Sequence, residues 1–187
     1  MASLAMGLAA CSGSPTHPKQ PAASATLLSL TCSDSVGQQG RSGETVVGGV
    51  EGLVLPGSDD PAGLYPMRAA GGRRYYIYKA FLAVSPAAAP FATVSIIRPA
   101  GARLVYGSSS RIGALVSAHT AQALIAASRT KVRLPVCGSR FTGFVGGIVV
   151  AGPACVTFEV SSPSAPAATV SVPIGPGKCA IGLAHKP

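Results

Sequence analysis

The sequence predicts an all-β fold: an antiparallel β-sandwich, immunoglobulin-like in general architecture, with about seven strands and one short helix. Three observations carry this expectation. Apolar residues make up 48% of the chain, enough for a sizeable core and against a disordered chain. Gly (23 residues) and Pro (16 residues) interrupt the chain at short intervals, which favours turns over long helices. Between those breaks, apolar and polar residues alternate with period two, as a strand with one buried face requires.

The strands are taken in chain order. Residues 44–56 (ETVVGGVEGLVLP) put Val46, Val50 and Val54 on one face. Residues 75–84 (YYIYKAFLAV) put Tyr76, Tyr78, Leu82 and Val84 on one face and Lys79 on the other. After a Pro/Ala turn come residues 91–97, then 131–136, 143–151, 154–161 and 169–174. The last two are the clearest: Val156, Phe158 and Val160 alternate with Thr157 and Glu159, and Val170 and Val172 alternate with Thr169 and Ser171. Gly152-Pro153 marks a turn between the 143–151 and 154–161 strands. Residues 117–128 (SAHTAQALIAAS) are the helical candidate, a short Ala-rich crossover. The organisation expected is 1–10 signal segment, 11–26 lipidated cysteine and flexible tether, and 27–187 a single β-sandwich domain.

Residues 2–10 (ASLAMGLAA) are apolar and end in small side chains, with Cys11 next and Ser12-Gly13-Ser14-Pro15 after it. Leu8-Ala9-Ala10-Cys11 resembles a bacterial lipobox, in which the cysteine thiol becomes the acylated first residue of the mature protein. The resemblance implies a lipid anchor at Cys11 and an extracytoplasmic location, membrane-anchored or secreted. The Ser-, Pro- and Ala-rich stretch that follows is a tether in composition. A signal peptide begins with basic residues, and no Lys or Arg precedes Cys11, so the translation start is expected upstream of Met1.

Four further cysteines, Cys32, Cys137, Cys155 and Cys179, bracket the expected domain, and none forms a C-x-x-C pair. Outside the cytoplasm this pattern predicts two disulfides, for which four cysteines allow three connectivities. The strand assignment favours Cys137–Cys155, across the two ends of an expected hairpin, and Cys32–Cys179, stapling the first strand region to the last.

The net charge is +9, from 15 basic and six acidic residues. Such a chain is drawn to anionic lipid, acidic wall polymer or nucleic acid. The basic residues form no long run and no nucleic-acid-binding motif is present, so nucleic acid is not an expected partner. The densest groups are Arg73-Arg74 with Lys79, and Arg129 with Lys131 and Arg133. Arg73, Arg74, Tyr75 and Lys79 join cations to aromatic rings on one strand, a combination able to hold an anion or a glycan. The plainer reading makes the tyrosines core or rim residues and the arginines the end of a Gly-Gly turn.

Signs of catalysis are weak. Gly107-Ser108-Ser109-Ser110-Arg111 does not match the G-x-S-x-G nucleophile elbow and reads as a Ser-rich loop. Only His17, His119 and His185 are available as imidazole bases, and the six carboxylates are Asp34, Glu44, Glu51, Asp59, Asp60 and Glu159. Glu51 and Glu159 read as outward strand positions, and Asp59-Asp60 as a turn. No catalytic residue, no metal site and no cofactor are expected.

The ordered segments Leu30-Thr31-Cys32-Ser33-Asp34, Leu134-Pro135-Val136-Cys137-Gly138, Phe144-Val145-Gly146-Gly147, Gly152-Pro153-Ala154-Cys155-Val156 and Gly175-Pro176-Gly177-Lys178-Cys179 resemble an uncharacterised group of secreted actinobacterial proteins. The resemblance implies an exported, disulfide-bonded domain and transfers no catalytic residue. The function expected is a cell-envelope lipoprotein with a non-catalytic binding or structural sandwich. Its expected partners are the membrane, through the anchor, and an anionic cell-wall polymer or another envelope protein. The alternatives are an envelope hydrolase with an unrecognised site and a protein-interaction module acting through a sheet edge.

Overall fold

A computed structural model describes residues 27–39, 45–53, 64–68, 72–118, 120–176, 179 and 183–185. Cys11, the tether, His17, His119, Glu44, Asp59 and Asp60 lie outside them. The chain is mostly β, with two sheets and two short helices. Its strands are β1 (Leu28–Ser29), β2 (Gln38–Gln39), β3 (Val50–Glu51), β4 (Leu64–Arg68), β5 (Arg74–Val84), β6 (Phe91–Arg98), β7 (Arg103–Gly107), β8 (Lys131–Pro135), β9 (Phe141–Val150), β10 (Ala154–Ser162), β11 (Ala165–Ile174) and β12 (Leu183–His185). The helices α1 (Ser109–Ser117) and α2 (Ala121–Ala127) fall between β7 and β8.

One sheet runs β1-β8-β6-β10-β11-β12, antiparallel except for the β1–β8 pair. In the other, β5 and β9 pair along nine residues and form the centre. The outer edge of β5 is shared by β4 and β3, and that of β9 by β7 and β2. The alternation expected for β5 is observed. Tyr78, Ala80, Leu82 and Val84 enter the core between the sheets, with Tyr76 partly buried against it. Phe144, Ile148 and Val150 meet them from β9, and Val156, Phe158, Val160, Val170 and Val172 from the opposite sheet. Each fully buried Leu, Ile, Val or Phe side chain contributes roughly 1.5–3 kcal/mol, so this two-sided packing is the main source of stability.

Gly146 is required at the centre. A Cβ there would lie 2.2 Å from the Val105 carbonyl oxygen and 2.4 Å from the Tyr106 ring, which occupies the space a side chain would fill. Tyr106 is buried with no hydrogen-bond partner for its hydroxyl, and this burial pushes its pKa far above the ordinary tyrosine range.

The opposite face of the β5–β9 sheet is also covered. Met67, Ile77, Val105 and Val149 on that face pack with Ile112 of α1 and with Ala121 and Leu124 of α2. The helical excursion is pinned at its base by paired backbone hydrogen bonds between Leu104 and Arg129. The Arg129 guanidinium donates to the carbonyls of Ala126 and Ser128, closing the end of α2.

Several expectations are corrected. Where a single strand is expected at residues 44–56, the described part, 45–53, holds a tight hairpin. Val47 and Val50 exchange backbone hydrogen bonds around Gly48 (φ +55°) and Gly49 (φ +85°), a two-residue turn that side-chain-bearing residues disfavour. Only β3 continues beyond it. Glu51, expected at an outward position, is buried where β3 pairs with the end of β5, opposite Ala83. The Ser-rich segment at 107–111 is the start of α1: Ser108 takes the N-cap position and Ile112, Leu115 and Val116 form an apolar face. The expected 117–128 helix is the shorter α2. β1, β2, β4, β7 and β12 were not expected, being short or edge strands, and β4 contains a proline that only an edge strand tolerates.

The cysteine pairing also differs: Cys32 is bonded to Cys137, with Cα atoms 5.6 Å apart. Parallel pairing of Leu28 with Val132 and Ser29 with Arg133 brings the two cysteines together a few residues later. The expected Cys137–Cys155 pair fails because β9 and β10 are not a hairpin. They belong to different sheets, and Cys137 and Cys155 stand at opposite ends of the ten-residue β9, roughly 30 Å long. Cys179 lies beside Cys155, far from Cys32 along β11.

The Cys32–Cys137 bridge closes a loop of 105 residues. Replacing both cysteines with Ala is expected to lower the unfolding free energy by roughly 2–5 kcal/mol. Urea denaturation of the double variant checks this, and an unchanged midpoint would mean the bridge constrains nothing that packing does not already hold.

Candidate functional site

A cleft lies between α1 and the covered face of the β5–β9 sheet, with a volume of about 490 Å³. Its helix side is Ser109, Ile112, Gly113, Val116 and Ser117, which recur at three- and four-residue spacing and so share one face of α1. Its sheet side is Lys79 and Phe81 of β5 with Val145 of β9. Lys79 stands opposite Gly147 across the ladder and Phe81 opposite Val145. Gly147 cannot carry a side chain, since a Cβ there would sit 2.6 Å from the Tyr78 carbonyl oxygen. Gly113 differs, as a Cβ built on it meets nothing within 4 Å. The helix side of the gap is therefore left open at Gly113, where no side chain fills the space.

Lys79 is exposed at the rim, with Nζ 4.3 Å from the centroid of the Tyr65 ring. The contact follows from register: Tyr65 pairs with Ile77 on β4–β5, which puts it diagonally beside Lys79 on the same face. A lysine over an exposed ring gains about 0.5–1 kcal/mol and has its head group steered by it. Among the described residues the large apolar side chains left exposed are Leu27, Tyr65, Phe81 and Ile97, and two of these four flank this cleft. The residues lining it include no carboxylate. Apolar walls, two serine hydroxyls and one cation at the mouth suit a molecule with an apolar body and an anionic end.

The structure divides the cluster expected from the sequence. Arg73 and Arg74 are exposed at the start of β5, and Tyr75 is half-buried against the helical cover. Lys79 stands five residues beyond Arg74, roughly 17 Å along the strand, and is joined by Tyr65 and Phe81 instead. Sequence reasoning missed Tyr65, Phe81, Ile112, Gly113 and Val116. The spacing of Ile112, Leu115 and Val116 is a helical signal that the preceding serines concealed. Asp34 has a structural role, its carboxylate accepting hydrogen bonds from the Thr31 amide at 2.9 Å and the Thr31 hydroxyl at 2.8 Å. Glu51 and Glu159 lie on different sheets. No set of three or more His, Cys, Asp or Glu able to hold a metal ion occurs among the described residues.

A second, smaller cavity of about 110 Å³ lies at the far end of the β10–β11 pair and is lined by Cys155 and Cys179 with Pro153, Pro173 and Gly175. Burial first, then a hydrogen bond that the Cys179 thiol donates to Cys155 and the charge of Cys155, pushes the Cys179 thiol up to about 11.

The class defined by this geometry is a mostly-β, two-sheet domain with a helical cover and an amphipathic cleft. Comparison with known proteins finds no matching family model, curated protein or solved structure.

The cleft has a built-in test of its boundaries. Gly113→Leu places an isobutyl group in the open space beneath α1, and on a helix it also gains roughly 0.5–1 kcal/mol of propensity. We expect an unchanged or raised melting temperature together with loss of binding of an environment-sensitive apolar dye; dye binding that survives would place the occupied site elsewhere.

Proposed function

We propose that this chain is a cell-envelope lipoprotein, anchored in the membrane through Cys11, whose sandwich is a non-catalytic binding module. The cleft between α1 and β5 holds its ligand, an amphipathic anion with an acyl-like body and a carboxylate head. A sandwich of immunoglobulin-like general architecture is part of the same reading. The observation that carries the ligand class is Lys79 on Tyr65 at the mouth of a cleft walled by Ile112, Val116, Phe81 and Val145. Its volume lies within the usual range for small-molecule sites, about 300–1,000 Å³. A basic chain of net charge +9 favours anionic ligands over neutral or cationic ones. The Cys32–Cys137 bridge supports a location outside the cytoplasm, where disulfides persist. Leu8-Ala9-Ala10-Cys11 supports the anchor.

Two measurements test the parts separately. For the ligand, the chain carrying Cys11→Ser is titrated with a long-chain fatty acid and with the corresponding fatty alcohol, read by dye displacement. The acid should bind more tightly. Lys79→Glu should weaken the acid about tenfold or more, which corresponds to about 1.4 kcal/mol, and leave the alcohol unchanged. Equal binding of acid and alcohol, or an acid affinity untouched by Lys79→Glu, would remove the anionic-head assignment.

For the anchor, Cys11→Ser should move the protein from the membrane fraction to the soluble fraction when it is expressed with an intact leader. Unchanged membrane retention would sink the lipidation of Cys11.

A further inference from the structure

Cys155 and Cys179 are the described cysteines outside the Cys32–Cys137 bridge. The β10–β11 ladder brings them together. Cys155 pairs with Pro173 next to the ladder's end, the strand stops at Ile174, and the chain turns at Gly175 (φ +80°). A side chain at Gly175 would collide with Leu64, so the turn is held close to the body of the protein. Cys179 shares one small cavity with Cys155. Cys155 is exposed to solvent and Cys179 is partly covered.

We infer that Cys155 and Cys179 are a reversible dithiol, which closes to a second disulfide by exchange with an external disulfide and clasps the end of β11 to the start of β10. The chemistry balances as follows. Cys155, deprotonated, attacks one sulfur of the external disulfide; that S–S bond breaks, its other sulfur leaves as a thiol, and Cys155 is held in a mixed disulfide. Cys179 then loses its proton and attacks the Cys155 sulfur, expelling the second external sulfur as a thiol. The protein gives up two electrons and two protons, and the external disulfide takes them in becoming two thiols.

Exposure and acidity set the order. Cys155 is the more exposed of the two. Cys179 holds its proton because of burial first, and then because of the hydrogen bond and charge of Cys155. Converting Cys155 to a mixed disulfide removes its charge and so eases release of the Cys179 proton at the step that needs it. The clasp acts on the lead into β12, whose Leu183–His185 pairs with Val170–Ala168 as the last strand of its sheet.

The test uses the full chain with Cys11→Ser, so that Cys11 contributes no thiol, exposed to oxidised glutathione. Expected are the loss of two thiols per chain, a non-reducing peptide map joining Cys155 to Cys179 with Cys32–Cys137 intact, and a rise of roughly 5–10 °C in melting temperature that a mild reductant reverses. Cys179→Ser should trap a stable glutathione adduct on Cys155, whereas Cys155→Ser should leave Cys179 unmodified over the same period. Thiols that stay free, glutathione on both cysteines without a cross-link, or a cross-link to Cys32 or Cys137 would each overturn the inference. The trapping variant keeps it falsifiable even if the closed form destabilises the fold, since the adduct is read on the open one.

Discussion

The Cys32–Cys137 bridge sits where two segments of the chain cross from one sheet to the other side by side. The N-terminal segment leaves the first sheet at β1 and enters the second at β2, while β8 leads into β9 by the same route. The crossing is held by more than the covalent bond: the Val36 amide donates to the Gly143 carbonyl, the Gly143 amide to the Gly37 carbonyl, and the Cys137 amide to the Thr142 hydroxyl. Two sheets packed only through side chains can slide over one another at modest cost. A corner whose backbone groups are all paired fixes their relative register, and with it the height at which the core residues of β5, β9 and β10 meet.

From that corner the rest follows in sequence. β9 runs away from it as the central strand and accepts β5 along nearly its whole length. The close approach of β5, β9 and β7 depends on Gly146 and Gly147 in the middle of β9, where a side chain would collide with the neighbouring strands. α1 and α2 then close most of one sheet face with Ile112, Ala121 and Leu124 and leave the cleft where Gly113 provides no side chain. The opposite sheet turns outward a surface of a different kind, with Thr157 and Ser171 hydrogen-bonded across neighbouring strands and Arg133 lying over Phe91. The two outer faces thus differ: one carries these polar contacts, the other is apolar, covered by helices and indented.

Much of the fold was legible in the sequence where period-two alternation met a buried face. Six of the expected strands, from β5 and β6 through β8 to β11, were found near their expected positions, because Val, Ile, Phe and Tyr at alternate positions have one way to reach a core. The failures have physical causes. Val46–Val50 carried the same apolar composition, but two adjacent glycines adopted positive φ and reversed the chain. β1, β2 and β12 are too short to show a period, and their pairing is decided by distant partners. The disulfide connectivity was misread because Gly152-Pro153 signals a turn without saying whether the chain returns along the same sheet or passes to the other one. The candidate site was legible only in part. Lys79 was visible as a cation on an outward strand face, while Tyr65 and the α1 wall came to it through register and tertiary packing.

The position of the bridge near the N-terminus also has a mechanical meaning. A pull applied to the N-terminal end enters the domain at β1 and, within a few residues, reaches Cys32. From there the load passes through sulfur to Cys137 and into β8 and β9, bypassing everything in between. The stretch enclosed by the bridge, which spans a sequence separation of 105 and includes β5, β6, β7 and both helices, cannot be drawn out by such a force. That withholds roughly 350–380 Å of contour length from extension. The walls of the cleft on α1 and β5 lie within this shielded stretch, so tension along the chain leaves the strand and helix that shape it untouched until the bridge itself is reduced.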